Sequence, residues 1–122
     1  MITVPRPDWS EQYLAFKYIP GEYSCLDFVL QVQLEVFGRS LSLPLADDCM
    51  PPQVVTSGPY RDGDIALFLD TNHDNHVGVL TVIGERVYLV HNNRARRGVS
   101  IERFPAGVTP TLKLLEVYRL RD

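Results

Sequence analysis

Apolar positions follow two different rhythms along the chain, and the change falls near its middle. In the first half, Trp9, Tyr13, Leu14 and Phe16 follow Asp8 and Ser10, either of which can cap a helix, so the spacing predicts a short helix reaching about residue 17. Pro20 and Gly21 end it. A second helix is expected over residues 25–37, where Leu26, Phe28, Val29, Leu30, Val32, Leu34, Val36 and Phe37 make more than one side apolar, as in a helix largely buried in its domain. Gly38 suits its C-terminal cap. The proline-broken stretch LSLPLADDCMPPQ reads as a loop.

The second half switches to short apolar runs of strand length. Residues 64–70, 76–83, 86–91, 99–104 and 111–120 read as about five strands. Gly84-Glu85 fits a two-residue hairpin turn between the second and third of them. Helices followed by consecutive strands define an α+β fold, with N-terminal helices packed on an antiparallel sheet.

Composition narrows the function classes. A chain of 122 residues suits one domain, taken here as residues 1–122, with enough length for one core. The formal charge of −3 does not suit a general nucleic-acid binder, which needs a concentrated basic surface. Arg86, Arg94, Arg96 and Arg97 form the basic cluster, read as a solvated loop leading into a strand. The two cysteines, Cys25 and Cys49, make no disulfide framework and are read as free thiols. The first residues, MITVPRPDWSEQ, lack an apolar run of signal-peptide length, and no segment approaches a membrane span. The expectation is synthesis in the cytoplasm without a signal peptide, and no membrane insertion.

Candidate chemistry centres on Cys25. At a helix start, exposed N–H groups and the helix dipole favour thiolate over thiol. A nucleophilic thiolate needs a base, and the chain offers His73, His76 and His91. With Gly84-Glu85 as the turn, Ile83 pairs with Arg86 and His91 falls opposite Gly78. His76 then lies on the same face as His91 and diagonal to it, about 7–8 Å away by backbone spacing and within reach of long or aromatic rings. Gly78 has no side chain to block them. The sequence can therefore build a line in which Cys25 attacks, His76 takes the proton and His91 orients His76. The competing account is a core cysteine with two polar-surface histidines. In the same register, Gly78→Val is expected to harm activity far more than stability, because valine suits a strand better than glycine. The run DTNHDNH gathers Asp70, His73, Asp74 and His76, but its spacing matches no strong zinc pattern and reads as a polar turn. Cys49, between acids and prolines, is taken as structural or exposed. No metal or other cofactor is expected.

The order of these pieces resembles the NlpC/P60 family of cysteine peptidases. Ser24-Cys25 opens a helix, Gly63-Asp64 precedes an apolar strand, His76-Val77-Gly78-Val79 opens the next, and Val90-His91 ends another. Lipid acyltransferases of similar fold carry histidine before cysteine, the reverse order. The likeness spans residues 9–118, and DWSEQYLAFKYIPGEYSCLDFV is similar to the compact members of phage tail modules. It implies a papain-like fold and a cell-wall hydrolase cutting peptidoglycan stem peptides with Cys25, His76 and His91. The implied oxyanion donors are the Cys25 backbone N–H and a tyrosine, Tyr18 or else Tyr23. It also implies other tail-tip proteins as partners and the virion as the site of action. Three positions depart from the family pattern: Ser24 replaces its aspartate, and Leu26-Asp27 replaces its small Ser-Gly pair. These departures favour the alternative of a tail-tip or tail-assembly subunit that keeps the fold with weak or lost catalysis.

Overall fold

A computed structural model describes residues 9–39, 53–55, 59–105 and 112–120. Within them the fold is α+β. A 3₁₀ turn (η1, Trp9–Tyr13) precedes one helix (α1, Cys25–Glu35). The strands are β1 (Gln53–Val55), β2 (Ile65–Leu69), β3 (Asn75–Ile83), β4 (Arg86–Asn93), β5 (Gly98–Arg103) and β6 (Lys113–Leu120), with a second 3₁₀ turn (η2, Arg94–Arg96) between β4 and β5. They form one six-stranded sheet in the order β1-β6-β2-β3-β4-β5, and every neighbouring pair is antiparallel. The strand beyond the expected five is β1, three residues long and paired with the end of β6.

The sheet separates two apolar layers. On one side, Phe28, Val29, Val32 and Val36 of α1 join Trp9 and Tyr13 against Ile65, Val77, Val79, Val90 and Val99. On the other side, Ala66, Phe68, Leu80, Leu89 and Val117 pack with Phe104 and Leu112. Side chains alternate along a strand, so odd-numbered β3 residues face α1 and even-numbered ones face away. Phe28, Val29 and Val32 are fully buried, each contributing about 1.5–3 kcal/mol by apolar burial.

Ser24, extended at φ −93° and ψ −175°, caps α1. The Asp27 carboxylate accepts from the Ser24 N–H at 2.8 Å and the Ser24 hydroxyl at 2.9 Å, so this acid is part of the helix cap. The helix ends at Glu35, before the expected residue 37, and Gly38 at φ 68° turns the chain away. Phe37 then packs on Trp9, with ring centroids 5.6 Å apart.

The first expected helix is the larger departure. Helical structure stops at Tyr13 instead of continuing to residue 17. The chain straightens to pair with the free edge of β5: the Tyr18 N–H donates to the Arg97 carbonyl at 3.1 Å and the Val99 N–H to the Phe16 carbonyl at 3.1 Å. Trp9 and Tyr13 already bury the apolar face available, Leu14 stays half exposed, and the edge strand offers backbone partners that a lone surface helix would lack. Of the two cap candidates, Asp8 lies outside the described residues and Ser10 lies inside η1.

Candidate active site

The β3–β4 hairpin builds the centre of the site. Gly84 takes a positive φ of 64° in the two-residue turn, and Ile83 pairs with Arg86, as expected. The ladder runs to Val79 opposite Val90, and one further step brings Gly78 beside His91. A side chain does not fit there. A Cβ on Gly78 would stand 2.5 Å from Leu89 Cδ1, 3.0 Å from His91 Cβ and 3.1 Å from the Val90 carbonyl oxygen. The expectation that Gly78→Val spares stability is therefore corrected, because the position is already filled from β4.

Over this glycine the two imidazoles meet. His76 Nε2 lies 2.7 Å from His91 Nδ1, with the rings edge to face at 77°. His91 Nε2 lies 2.9 Å from Glu102 Oε2, and Glu102 Oε1 lies 3.1 Å from Arg96 Nη2. Each partner comes from its own element. Glu102 sits on β5 opposite Leu89, diagonal to His91, which itself faces Ser100. Arg96 belongs to η2, which Asn93 caps by accepting from the Ala95 N–H at 2.9 Å. His91 is fully buried. Burial, reinforced by His91, pushes the His76 pKa down to about 4. Burial, reinforced by Arg96, does the same for His91. Both rings are neutral at pH 7.

Cys25 is the first residue of α1 and a free, partly buried thiol. It packs with the α1-side core. Asn92, buried on β4, donates through Nδ2 to the Tyr23 carbonyl at 3.1 Å and the Ser24 carbonyl at 3.3 Å, tying the helix start to the strand that carries His91. Burial pushes the thiol pKa up and Asp27 adds to that, while the amides of Val77, Leu26 and Cys25 itself pull it down, leaving a net rise. The thiol thus sits against the backbone of Val77, one residue along β3 from His76. Strand alternation directs the His76 ring to the Phe68 side, where the two rings lie 6.3 Å apart. Among the described residues no hydrogen bond joins the thiol to either imidazole. The structure brings His76 and His91 together and sets Cys25 at the same end of the sheet, on the α1 side.

The two tyrosines differ. The Tyr23 hydroxyl donates to Gln31 Oε1, nearly two turns down α1 from Cys25, and burial with nearby Glu35 and Asp27 pushes its pKa up to about 12. Tyr18 is held by its backbone on the β5 edge. Asp70 closes the β2–β3 turn by accepting from the Asn72 and Asp74 N–H groups at 2.8 and 2.9 Å, and His73 occupies a left-handed position at φ 63° within it. Among the described residues no group of three or more His, Cys, Asp or Glu side chains is arranged to hold a metal ion. Cys49 lies outside the described residues.

Asp64, the acid of the Gly63-Asp64 pair, is structural. It is buried and takes a two-pronged bond from Arg119 of β6, at 3.1 and 2.8 Å. Gly63 has φ 90°, its carbonyl accepts from Gln33 of α1 at 2.9 Å, and a Cβ there would meet the Phe37 ring at 3.0 Å. The pair joins helix to sheet. Glu102, Arg96 and Asn92 were not foreseen from the sequence. For Glu102 a signal existed: in VSIERF, Ser100 and Glu102 alternate with Val99 and Ile101, so a β5 paired to β4 must turn Ser100 and Glu102 toward the His91 face.

A cavity of about 620 Å³ opens on this network, lined by His76, Glu102, Arg96, Asn93, Asn72 and Asp70 among others. Cys25 does not line it. No helix among the described residues is long and apolar enough to cross a membrane. No protein-family model matches the chain, and no curated protein matches it.

Proposed function

We propose that the chain is a cysteine peptidase with a papain-like, NlpC/P60-type arrangement, hydrolysing stem peptides of bacterial cell wall as part of a phage tail tip. The observation that carries this reading is the 2.7 Å contact between His76 Nε2 and His91 Nδ1. It uses the far nitrogen of His76 and leaves Nδ1 without a hydrogen-bond partner among the described residues, while the thiol lies across β3, on the α1 side. His76, second in β3, and Cys25, first in α1, stand at the same end of sheet and helix.

This reaction requires the Cys25 thiol, on the α1 side, to come within reach of His76 Nδ1, on the other; the sulfur then bonds to the peptide carbonyl carbon as its proton passes to that nitrogen. The oxyanion collapses, the C–N bond breaks, and His76 returns the proton to the departing amine. Water, deprotonated by His76, then adds to the thioester. The C–S bond breaks, the acid is released and the thiol is restored. Because burial holds thiol and imidazole neutral, attack and proton transfer occur together, without a standing thiolate–imidazolium pair. The oxyanion is assigned to the Cys25 N–H and Tyr18, since the Tyr23 hydroxyl is already bound to Gln31.

A second reading has its own support: a tail-tip or tail-assembly subunit in which catalysis is weak or lost. The raised thiol pKa and the absence of a hydrogen bond between Cys25 and the imidazoles among the described residues favour it. Digestion of purified cell wall decides. Release of new amino termini by the wild type, abolished in Cys25→Ala and in His76→Ala, is expected for the peptidase. No release by the folded wild type, or full release by Cys25→Ala, refutes it.

A further inference from the structure

We infer that Glu102 is a positioning residue that fixes the proton arrangement of both histidines and so leaves His76 Nδ1 as an unprotonated acceptor. The inference rests on the peptidase reading for its use, but its geometry stands apart from it. Glu102, paired through Oε1 with the Arg96 guanidinium at 3.1 Å, is a carboxylate and can only accept. His91 Nε2, 2.9 Å from Glu102 Oε2, must therefore carry the hydrogen. A neutral imidazole has one N–H, so His91 Nδ1 is then an acceptor. His76 Nε2, 2.7 Å from it, must donate. His76 has then used its hydrogen, and its Nδ1 is a lone pair. One carboxylate on β5 thus sets a tautomer two rings away, and it does so in a buried setting where an unmatched pair of lone pairs or hydrogens is costly.

The opposite polarity would disable the site. If the group at position 102 donated to His91 Nε2, His91 Nδ1–H would donate to His76 Nε2, and His76 would carry its hydrogen on Nδ1. That nitrogen could not take a proton from the thiol. Arg96 serves the arrangement by occupying Glu102 Oε1, which leaves Oε2 for His91. Its guanidinium is largely exposed, so its effect is weaker than that of Glu102 itself.

The test is a long-range ¹H–¹⁵N correlation spectrum of the folded full chain at pH 7, with ¹⁵N-labelled histidine, for the wild type, Glu102→Gln and Glu102→Leu. The wild type should show both rings protonated at Nε2, with His76 Nδ1 at the frequency of an unprotonated ring nitrogen. In Glu102→Gln, whose amide can donate, the His76 Nδ1 resonance should shift toward the protonated frequency. Glu102→Leu, which removes the acceptor, should shift it in the same direction. A wild-type His76 protonated at Nδ1, or folded variants with unchanged tautomers, would overturn the inference. If one variant fails to fold, the other and the wild-type spectrum still decide. Wall digestion by the same samples is a separate readout: unchanged tautomers with active enzyme sink the role of Glu102 alone, and correct tautomers with no digestion sink the peptidase reading alone.

Discussion

Replacing Gly78 tests the geometry on which the histidine contact depends. In Gly78→Ala the added methyl carbon meets Leu89 Cδ1 at 2.5 Å, His91 Cβ at 3.0 Å and the Val90 carbonyl oxygen at 3.1 Å. Leu89 is the softest of the three, but it is fully buried among Phe68, Leu80 and Phe104, so its methyl has no empty space to enter. His91 Cβ and Val90 O move only with the β4 backbone. Overpacking of this kind costs about 1–3 kcal/mol, against a gain of about 0.5–1 kcal/mol from replacing a strand glycine. The net is a loss of up to about 2.5 kcal/mol, centred on about 1 kcal/mol, or about 3–5 °C in Tm per kcal/mol for a chain of this size. Gly78→Val adds two more methyl groups and is expected to lose more. Thermal and urea melts of the two variants beside wild type supply the measurement, and the histidine ¹⁵N spectrum shows whether the ring contact survives. A Gly78→Val protein as stable as wild type, with the imidazole contact intact, would show that the β3–β4 register beyond Val79 is not as described.

Three further outcomes are expected. His76 and His91, ordinarily near 6.5 and held in the fold at about 4, bind fewer protons folded than unfolded between those values. Their contribution to stability is complete above about pH 6.5 and is lost as pH falls toward 4, so urea midpoints should drop from pH 7.5 to 5; a flat or rising midpoint refutes this. Asp27→Asn removes a charge that raises the Cys25 pKa while keeping an oxygen to accept from Ser24, so iodoacetamide should modify Cys25 faster, with a cap penalty of about 0.5–2 kcal/mol; an unchanged alkylation rate would remove Asp27 from the account of the thiol. Asn92→Ala removes one of the donors to the Tyr23 and Ser24 carbonyls, each of which still accepts a backbone N–H, and should cost about 0.5–1.5 kcal/mol; a neutral effect in a urea melt would mean that the helix start is not anchored there.

The hairpin was legible because its signals are local. Gly84-Glu85 sets the turn, the turn sets the register, and the register places His91 by Gly78 without reference to the rest of the chain. The start of α1 was legible locally too, from the Pro20-Gly21 break and the apolar run that begins at Leu26, although the Ser24–Asp27 cap itself was not read. Non-local choices were not. Residues 14–18 carry enough bulk for a helix, and only the open β5 edge makes the extended form better. The side of the sheet on which α1 docks is a choice between two apolar faces. The even face holds Phe68, Leu80 and Leu89, and the odd face holds Val77, Val79, Val90 and Val99. Both read as core, so the position of Cys25 relative to His76 was not settled by spacing. Glu102 was hidden by the same limit, because its role exists only once β5 pairs with β4.

The stretch Phe16–Tyr18, laid along β5, also governs how the molecule meets its own kind. An outermost strand with free N–H and C=O groups is a template for another chain, and here the start of that template is occupied from within, by the Tyr18–Arg97 and Val99–Phe16 bonds. The seal depends on one missing atom: a Cβ at Gly98 would meet the Phe16 carbonyl oxygen at 2.8 Å. A larger residue there would lift the cover off the sheet's rim and draw Phe16 from the margin of the core, while leaving α1 and the buried strands in place. Its signature would be clumping at high concentration from a chain that still melts almost as before, a fault of colloidal behaviour instead of folding.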